Sequence, residues 1–260
     1  MAELLENKDW QTLSTLHDVL IQMLREYYMV GGMPEAVNVF IETNDANSVR
    51  EVQREILLAY KNDISKHTTK EQSQRIAMVW NSMPSQLSKE NKKFIYGVVK
   101  KGGRANEFEL AIQWLIDAGL IIKVSRITTP SMPLKVYEDL SAFKLYLLDV
   151  GLLGAMAEIN PVQLLLPNDM KESKGMFTEN FVCTQLATQF NSSLFYYSKE
   201  NSTLEIDFFV QKETQIVPIE VKAEINVKSK SLSTILQNNE EMFGVRFSMN
   251  PYRQQERMVN

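Results

Sequence analysis

The sequence is poor in the residues that mark secreted, zinc-bound and membrane proteins. Its one cysteine, Cys183, has no partner for an internal disulfide, and two histidines, His17 and His67, cannot supply a structural zinc site. A reducing compartment is therefore expected. No apolar run reaches the ~20 residues of a membrane span. Met1 to Trp10 carry acids rather than a basic segment leading into an apolar one, so the expectation is a cytoplasmic protein with no membrane partner. Positive charge is also in short supply. With 28 Lys and Arg against 32 Asp and Glu, the formal net charge is -4, which excludes a uniformly basic nucleic-acid binder and confines phosphate contacts to local patches. What is present, 44% hydrophobic and 23% charged residues over 260 positions, is the composition of a folded protein with one large domain or a few small ones.

Leu13, Leu16, Leu20, Met23, Leu24 and Tyr27 recur at helical spacing, as do Val52, Ile56, Leu57 and Tyr60, which predicts a helical N-terminal segment over residues 1–66. Between these runs Gly31-Gly32-Met33-Pro34-Glu35 reads as a helix stop and restart. Residues 67–150 change pattern. Helices are predicted through Ile76, Val79 and Trp80, over Phe94 to Val99, and from Glu107 to Ala118. Strands are predicted over Leu120 to Ile127 and around Leu134 to Tyr137, joined by a proline-bearing loop. Three helices and a β-ribbon outline a winged helix, a module that serves duplex DNA or protein docking. Ser88 to Arg104 holds six basic residues against one acid. Lys92, Lys93, Lys100, Lys101 and Arg104 are the candidate phosphate contacts there, with a solvated helix face as the plain alternative. Glu107, Glu109 and Asp117 on the third helix oppose a DNA backbone, which leans the segment toward a structural or docking role.

Residues 151–260 read as helix (Gly175 to Phe190), strands (Leu194 to Tyr197, Glu205 to Val210, Ile216 to Val221), helix (Ser231 to Glu241) and strand (Val245 to Met249). The fold class expected is α+β, with a C-terminal αβββαβ unit built on a mixed sheet. Its most informative stretch is Glu205-Ile206-Asp207-Phe208 followed by Pro218-Ile219-Glu220-Val221-Lys222. On a strand Glu220 and Lys222 share a face, and a turn at Gln211 to Thr214 sets Asp207 beside Glu220. Two carboxylates and an amine then make a hard-cation site with a lysine at its edge. A solvated edge hairpin is the alternative. Lys228 and Lys230, just beyond, could steer phosphate. His17 and His67 have no acid-and-hydroxyl partners at catalytic spacing, and Cys183 reads as a packing residue.

Glu179 in Phe177-Thr178-Glu179-Asn180-Phe181-Val182, Asp207, and the Glu220-Val221-Lys222 triplet, in this element order, resemble the core of the PD-(D/E)xK nuclease superfamily. The resemblance implies a restriction-endonuclease-like fold and a Mg2+ or Mn2+ ion held by Asp207, Glu220 and the backbone carbonyl of Val221, with Glu179 acting directly or through water. It also implies metal-assisted phosphodiester hydrolysis in which Lys222 orients or helps deprotonate the attacking water, with DNA the favoured substrate. A wider set of motifs, Gly31-Gly32-Met33-Pro34-Glu35, Leu148-Asp149-Val150-Gly151 and the nuclease-like residues, resembles the C-terminal region of a prokaryotic AAA-type ATPase family. That implies an N-terminal AAA ATPase domain or a separate ATPase as partner. The family's P-loop half is absent from the sequence, which starts about where that half would end. Gly97 to Arg104 spaces two glycines like a phosphate loop but puts Gly103-Arg104 where Lys and Ser/Thr belong, so no nucleotide is expected to bind this chain alone. The rival expectation is a catalytically inactive recognition or regulatory module of that ATPase.

Overall fold

The computed structural model describes residues 6–166, 174–190, 192–223, 229–255 and 257–260. Several helices begin where a polar side chain satisfies the first turn, and their apolar stripes find a neighbour. Short α1 (Trp10–Thr15) is capped by Asp9, and α2 (His17–Val30) runs to Gly31, whose φ of 74° ends it. Pro34 opens α3 (Pro34–Thr43), as the stop-and-restart reading predicts. Asp45 accepts the Asn47 and Ser48 N–H groups to start α4 (Ala46–His67), and Thr69 accepts from Gln72 at the head of α5 (Lys70–Leu87). A four-residue α6 (Tyr96–Val99) precedes α7 (Ala105–Asp117).

Strand β1 (Ile121–Ile127) pairs antiparallel with β2 (Glu138–Leu147), and β2 leads through Asp149 into α8 (Val150–Met156) and α9 (Pro161–Leu165). Then come α10 (Lys174–Gln189), β3 (Phe195–Ser198), β4 (Glu205–Lys212), β5 (Gln215–Val221), α11 (Lys230–Asn238), β6 (Gly244–Phe247), β7 (Gln254–Gln255) and β8 (Met258–Val259). The expected αβββαβ order is present from α10 to β6. One mixed eight-stranded sheet, ordered β2-β1-β3-β4-β5-β6-β8-β7, runs through the molecule. The parallel pairing of β1 with β3 joins strands from the expected 67–150 and 151–260 segments. A larger core spreads from the helices onto the sheet through Phe208, Val210, Ile219 and Val221. A smaller one, with Ile206, Phe209, Leu232, Ile235 and Leu236, packs under α11.

Two predicted elements of the middle segment differ. Leu134–Tyr137 is a 3-10 turn rather than a ribbon strand, because Pro133 precedes it and Gln211 takes the Leu134 N–H at 2.9 Å; the strand begins at Glu138. Phe94, predicted to start a helix, donates its N–H to the Phe143 carbonyl at 2.8 Å, so the chain runs along the β2 edge before turning into α6. Beyond the predicted strands, β7 and β8 extend the sheet past β6.

Candidate functional site

The motifs singled out in the sequence meet one another in the fold. Asn180 accepts the Leu147 N–H at 2.8 Å and donates to the Leu147 carbonyl at 3.0 Å, which pins α10 to the end of β2. Asp149, two residues on, accepts the Leu152 N–H to cap α8 and the Gly32 N–H at 2.6 Å, 117 residues away in sequence. The glycine pair is therefore the seat of a buried carboxylate as well as a helix stop. With Asn180 fixed, the preceding Glu179 is directed into the interior.

Glu179 is fully engaged there. Its Oε1 accepts from Lys92 Nζ at 2.6 Å and its Oε2 from the Tyr146 hydroxyl at 3.1 Å. The Lys92 and Glu179 side chains are only 7% and 11% exposed. Lys144, on β2 and 1% exposed, bonds Glu205 Oε1 at 2.6 Å and lies over the Tyr196 ring at 4.9 Å. Burial opposes the charge of Lys144, but Glu179, Glu205 and Asp207 outweigh it and hold its pKa above the usual lysine value.

Asp207 owes its position to an irregularity. Phe195 pairs with Phe209 while Tyr197 pairs with Ile206, so Asp207 and Phe208 together stand opposite Tyr196 in a β-bulge. The β4–β5 ladder continues the register Phe208 to Ile219 toward Asp207 and Glu220, as the hairpin reading expects. Asp207 Oδ2 accepts the Val221 N–H at 2.8 Å. Burial first, and then the neighbouring Glu179, push the Asp207 carboxyl up to about 7, against the pull of Lys144, the Val221 amide and Lys222. Lys222 Nζ bonds Glu220 Oε1 at 2.8 Å. Although partial burial works against its charge, Glu220, then Asp207 and Glu179, raise its pKa. The amine of Lys222 thus bonds Glu220 and lies within the fields of Asp207 and Glu179. Glu220 Oε2 is buried and has no hydrogen-bond partner among the described residues.

The donor set has the chemistry of a hard-cation site. Asp207 and Glu220 have a carboxylate oxygen to offer, but Glu179 does not while Lys92 and Tyr146 hold it. Among the described residues no group of three or more His, Cys, Asp or Glu side chains is arranged to hold a metal ion. As arranged, the residues do not fit a divalent cation. Around four acids, Glu179, Asp207, Glu205 and Glu220, stand three lysines, Lys92, Lys144 and Lys222.

The basic patch is divided by the fold. Lys92, expected at a phosphate-facing surface, points inward to Glu179, which corrects its place in that patch. Lys93, Lys101 and Arg104 are exposed, Lys100 is bonded to Glu107 at 2.7 Å, and Lys230 is exposed at the start of α11. Lys228 lies outside the described residues. Cys183 is buried, and burial and then Glu179 push its thiol well up, which makes it the inert packing residue expected. His17 Nε2 lies 3.0 Å from the Met249 carbonyl, and Trp10 stacks on Tyr252 with ring centroids 4.0 Å apart, so both tie the first helices to the C-terminal residues. Sequence reasoning missed Lys144, Tyr146 and Glu205. The signal was Phe143-Lys144-Leu145-Tyr146-Leu147, where a lysine inside an apolar strand marks a buried cation in need of an acid.

No helix among the described residues is long and apolar enough to cross a membrane. A family model described as Domain of unknown function (DUF8612) matches residues 21–163, more than half of the chain, and one described as Domain of unknown function (DUF4143) matches residues 174–259. No curated protein and no solved structure matches the chain.

Proposed function

The chain belongs to the family described as Domain of unknown function (DUF8612), and for it we propose a PD-(D/E)xK nuclease-like module that acts on nucleic-acid phosphodiesters, DNA foremost, in the service of an AAA-type ATPase. The observation that carries this reading is the amine of Lys222, 2.8 Å from Glu220 and within the fields of Asp207 and Glu179. The DUF4143 match over residues 174–259 accords with the ATPase assignment, since that domain is often found with AAA ATPases. In this reading Lys222 keeps its proton through its contact with Glu220 and is positioned to orient a nucleophilic water. Asp207, anchored on the Val221 amide, and Glu220, with its unpartnered Oε2, are the groups with oxygen to give. The winged-helix-like middle, with Lys93, Lys101 and Arg104 exposed, supplies the docking surface.

A second reading, a catalytically inactive recognition or regulatory module of the same ATPase, has its own support. Both oxygens of Glu179 are spent inside the protein. The two separate in one assay. The purified chain with Mg2+ or Mn2+ should cleave DNA, and Asp207→Ala and Lys222→Ala should each abolish cleavage while the circular dichroism stays that of the parent. Intact DNA and RNA across metals and substrates would overturn the nuclease reading and favour the second.

A further inference from the structure

At the turn end of the β4–β5 hairpin the sheet leaves one strand covered on a single side. Gln215, Ile216 and Val217 pair with Lys212, Gln211 and Val210 of β4. On the other side β6 joins β5 only from Ile219 onward, and Pro218, with no N–H to give, marks where that pairing stops. Among the described residues no strand pairs with the second edge of Gln215 to Val217, so the backbone groups there are open to an added strand. The chain ahead of β6 turns away over Asn239 to Phe243, and the gap it leaves is a groove of about 550 Å³. Thr214, Gln215, Ile216 and Val217 line it in succession. Side chains of a strand alternate between its two faces, so consecutive lining residues mean that the groove opens along the edge and not on one face alone.

Both walls of the groove are pinned from outside it. Pro130 to Met132 lead to Leu134, whose N–H Gln211 holds at 2.9 Å, and the Asn239 carbonyl accepts from Arg257 at 2.8 Å. A groove fixed in this way costs a ligand little ordering of the protein. Its chemistry selects the occupant. Glu240 and Glu241 are exposed and in no ion pair among the described residues, and the lining includes no Lys, Arg or His. Lys212 stands across β5, on the β4 side. Met132 and Phe243, 43% and 40% exposed, and Met242 supply apolar surface that adapts to different side chains. We infer that the groove takes an extended peptide segment with basic and apolar side chains, which adds as a short strand along Gln215 to Val217. Ladder hydrogen bonds hold its backbone, Glu240 and Glu241 select its cations, and Met132, Met242 and Phe243 take its apolar side chains. The same acids repel a nucleic-acid strand. Ile216 and Glu220 are about 14 Å apart along β5, so a peptide in the groove does not touch the carboxylate cluster.

The probes are capped, fluorescein-labelled hexapeptides in which lysine alternates with valine, leucine or phenylalanine. Binding to the intact chain is read by fluorescence anisotropy, and the contact is located by amide hydrogen exchange. At least one lysine peptide should bind saturably and slow exchange across Gln215 to Val217, and its glutamate counterpart should bind weaker by about tenfold or more. N-methylation of the peptide backbone, which removes the ladder donors and keeps the charge, should weaken binding by about tenfold. Glu240→Lys together with Glu241→Lys should weaken it as much with the thermal midpoint unchanged. Glu240→Gln with Glu241→Gln covers the case in which the lysine variant does not fold, and should weaken binding by about threefold. The proposal is overturned by lysine peptides that all fail to saturate below about 1 mM, by equal binding of lysine and glutamate peptides, or by N-methylated peptides that bind as well as their parents. Slowed exchange across Gln215 to Val217 that grows with protein concentration and needs no peptide would also overturn it, since the occupant would then be a second copy of the chain.

Discussion

At the carboxylate cluster Lys92 and Lys144 enter the interior against carboxylates, each at 2.6 Å, whereas in the helical half Arg50 enters it with no carboxylate partner among the described residues. Arg50 is 3% exposed and, among the described residues, donates one bond, Nη1 to the Gly151 carbonyl at 3.2 Å, while its buried Nε and Nη2 find no partner there. Burial and the neighbouring Arg54 push its pKa down to about 10. Packing makes this possible. Gly151 and Gly154 of α8 leave the space, since a Cβ on Gly154 would meet the guanidinium at 3.1 Å, and one on Gly151 would lie 2.6 Å from Gln53 Nε2 and from the Val30 carbonyl. The guanidinium is weakly hydrated and tolerates this better than an ammonium would. The lysines are where they are because acids hold them, and the arginine because helices close around it.

Removing the acid gives the largest effect. Glu179→Ala leaves Lys92 without its partner in a site where both side chains are nearly out of water, and the loss of one member of a buried pair costs about 3–5 kcal/mol. Urea unfolding should show a loss of that size. A loss under about 1 kcal/mol would mean that the pair contributes little to holding the two segments together.

The second test is pH. The Asp207 carboxyl, raised from 3.8 to about 7 by burial and by Glu179, keeps a proton in the folded chain that the unfolded chain gives up at lower pH. The stability tied to that proton is complete below the unfolded value and is lost as pH rises through the folded one. Asp207→Asn, which cannot ionise, should therefore gain on the parent between about pH 4 and pH 7 and run parallel to it above about pH 8. Urea midpoints across that range check it. A difference that is constant with pH would show that Asp207 is ionised throughout, and the contrast between a crowded acid cluster and an uncrowded arginine would lose its electrostatic basis.

Arg50→Met should behave in the opposite sense from Glu179→Ala. Replacing a buried charge that has no counter-charge with an apolar side chain of similar length removes a desolvation cost and one hydrogen bond, and a gain of about 1 kcal/mol is expected. Unfolding midpoints decide it. A loss of 2 kcal/mol or more would place Arg50 in the same class as Lys92, a cation on which the fold depends.

How much of this could be read from the sequence differs between the same two regions. The C-terminal order of elements and the Asp207, Glu220 and Lys222 hairpin followed from period-two alternation and a turn, both local properties. The 3-10 turn at Leu134–Tyr137 and the edge strap at Phe94 were not local. Gln211 captured the Leu134 amide from 77 residues away, and the Phe143 carbonyl captured the Phe94 amide. Lys92 was misread for the same reason. In the sequence it sits in a run of basic residues, and only the fold brings Glu179, 87 positions on, to its amine. Charge clusters read from a sequence show which cations are near one another, not which carboxylates will meet them.

The smallest effect tests the surface end of the comparison. Lys100 bonds Glu107 at 2.7 Å, no farther than Lys92 from Glu179 to within 0.1 Å, yet the Lys100 side chain is 53% exposed. If burial rather than distance sets the worth of an ion pair here, Lys100→Ala should lower stability by less than about 0.5 kcal/mol, since water and salt screen the pair and its side chains lose rotamer freedom in forming it. The same substitution removes a cation from the exposed basic patch, so its effect on DNA affinity, read by fluorescence anisotropy at low and moderate salt, should vanish as salt rises. A stability loss comparable to that of Glu179→Ala would mean that the short distance, and not the dry surroundings, makes the Lys92 pair strong.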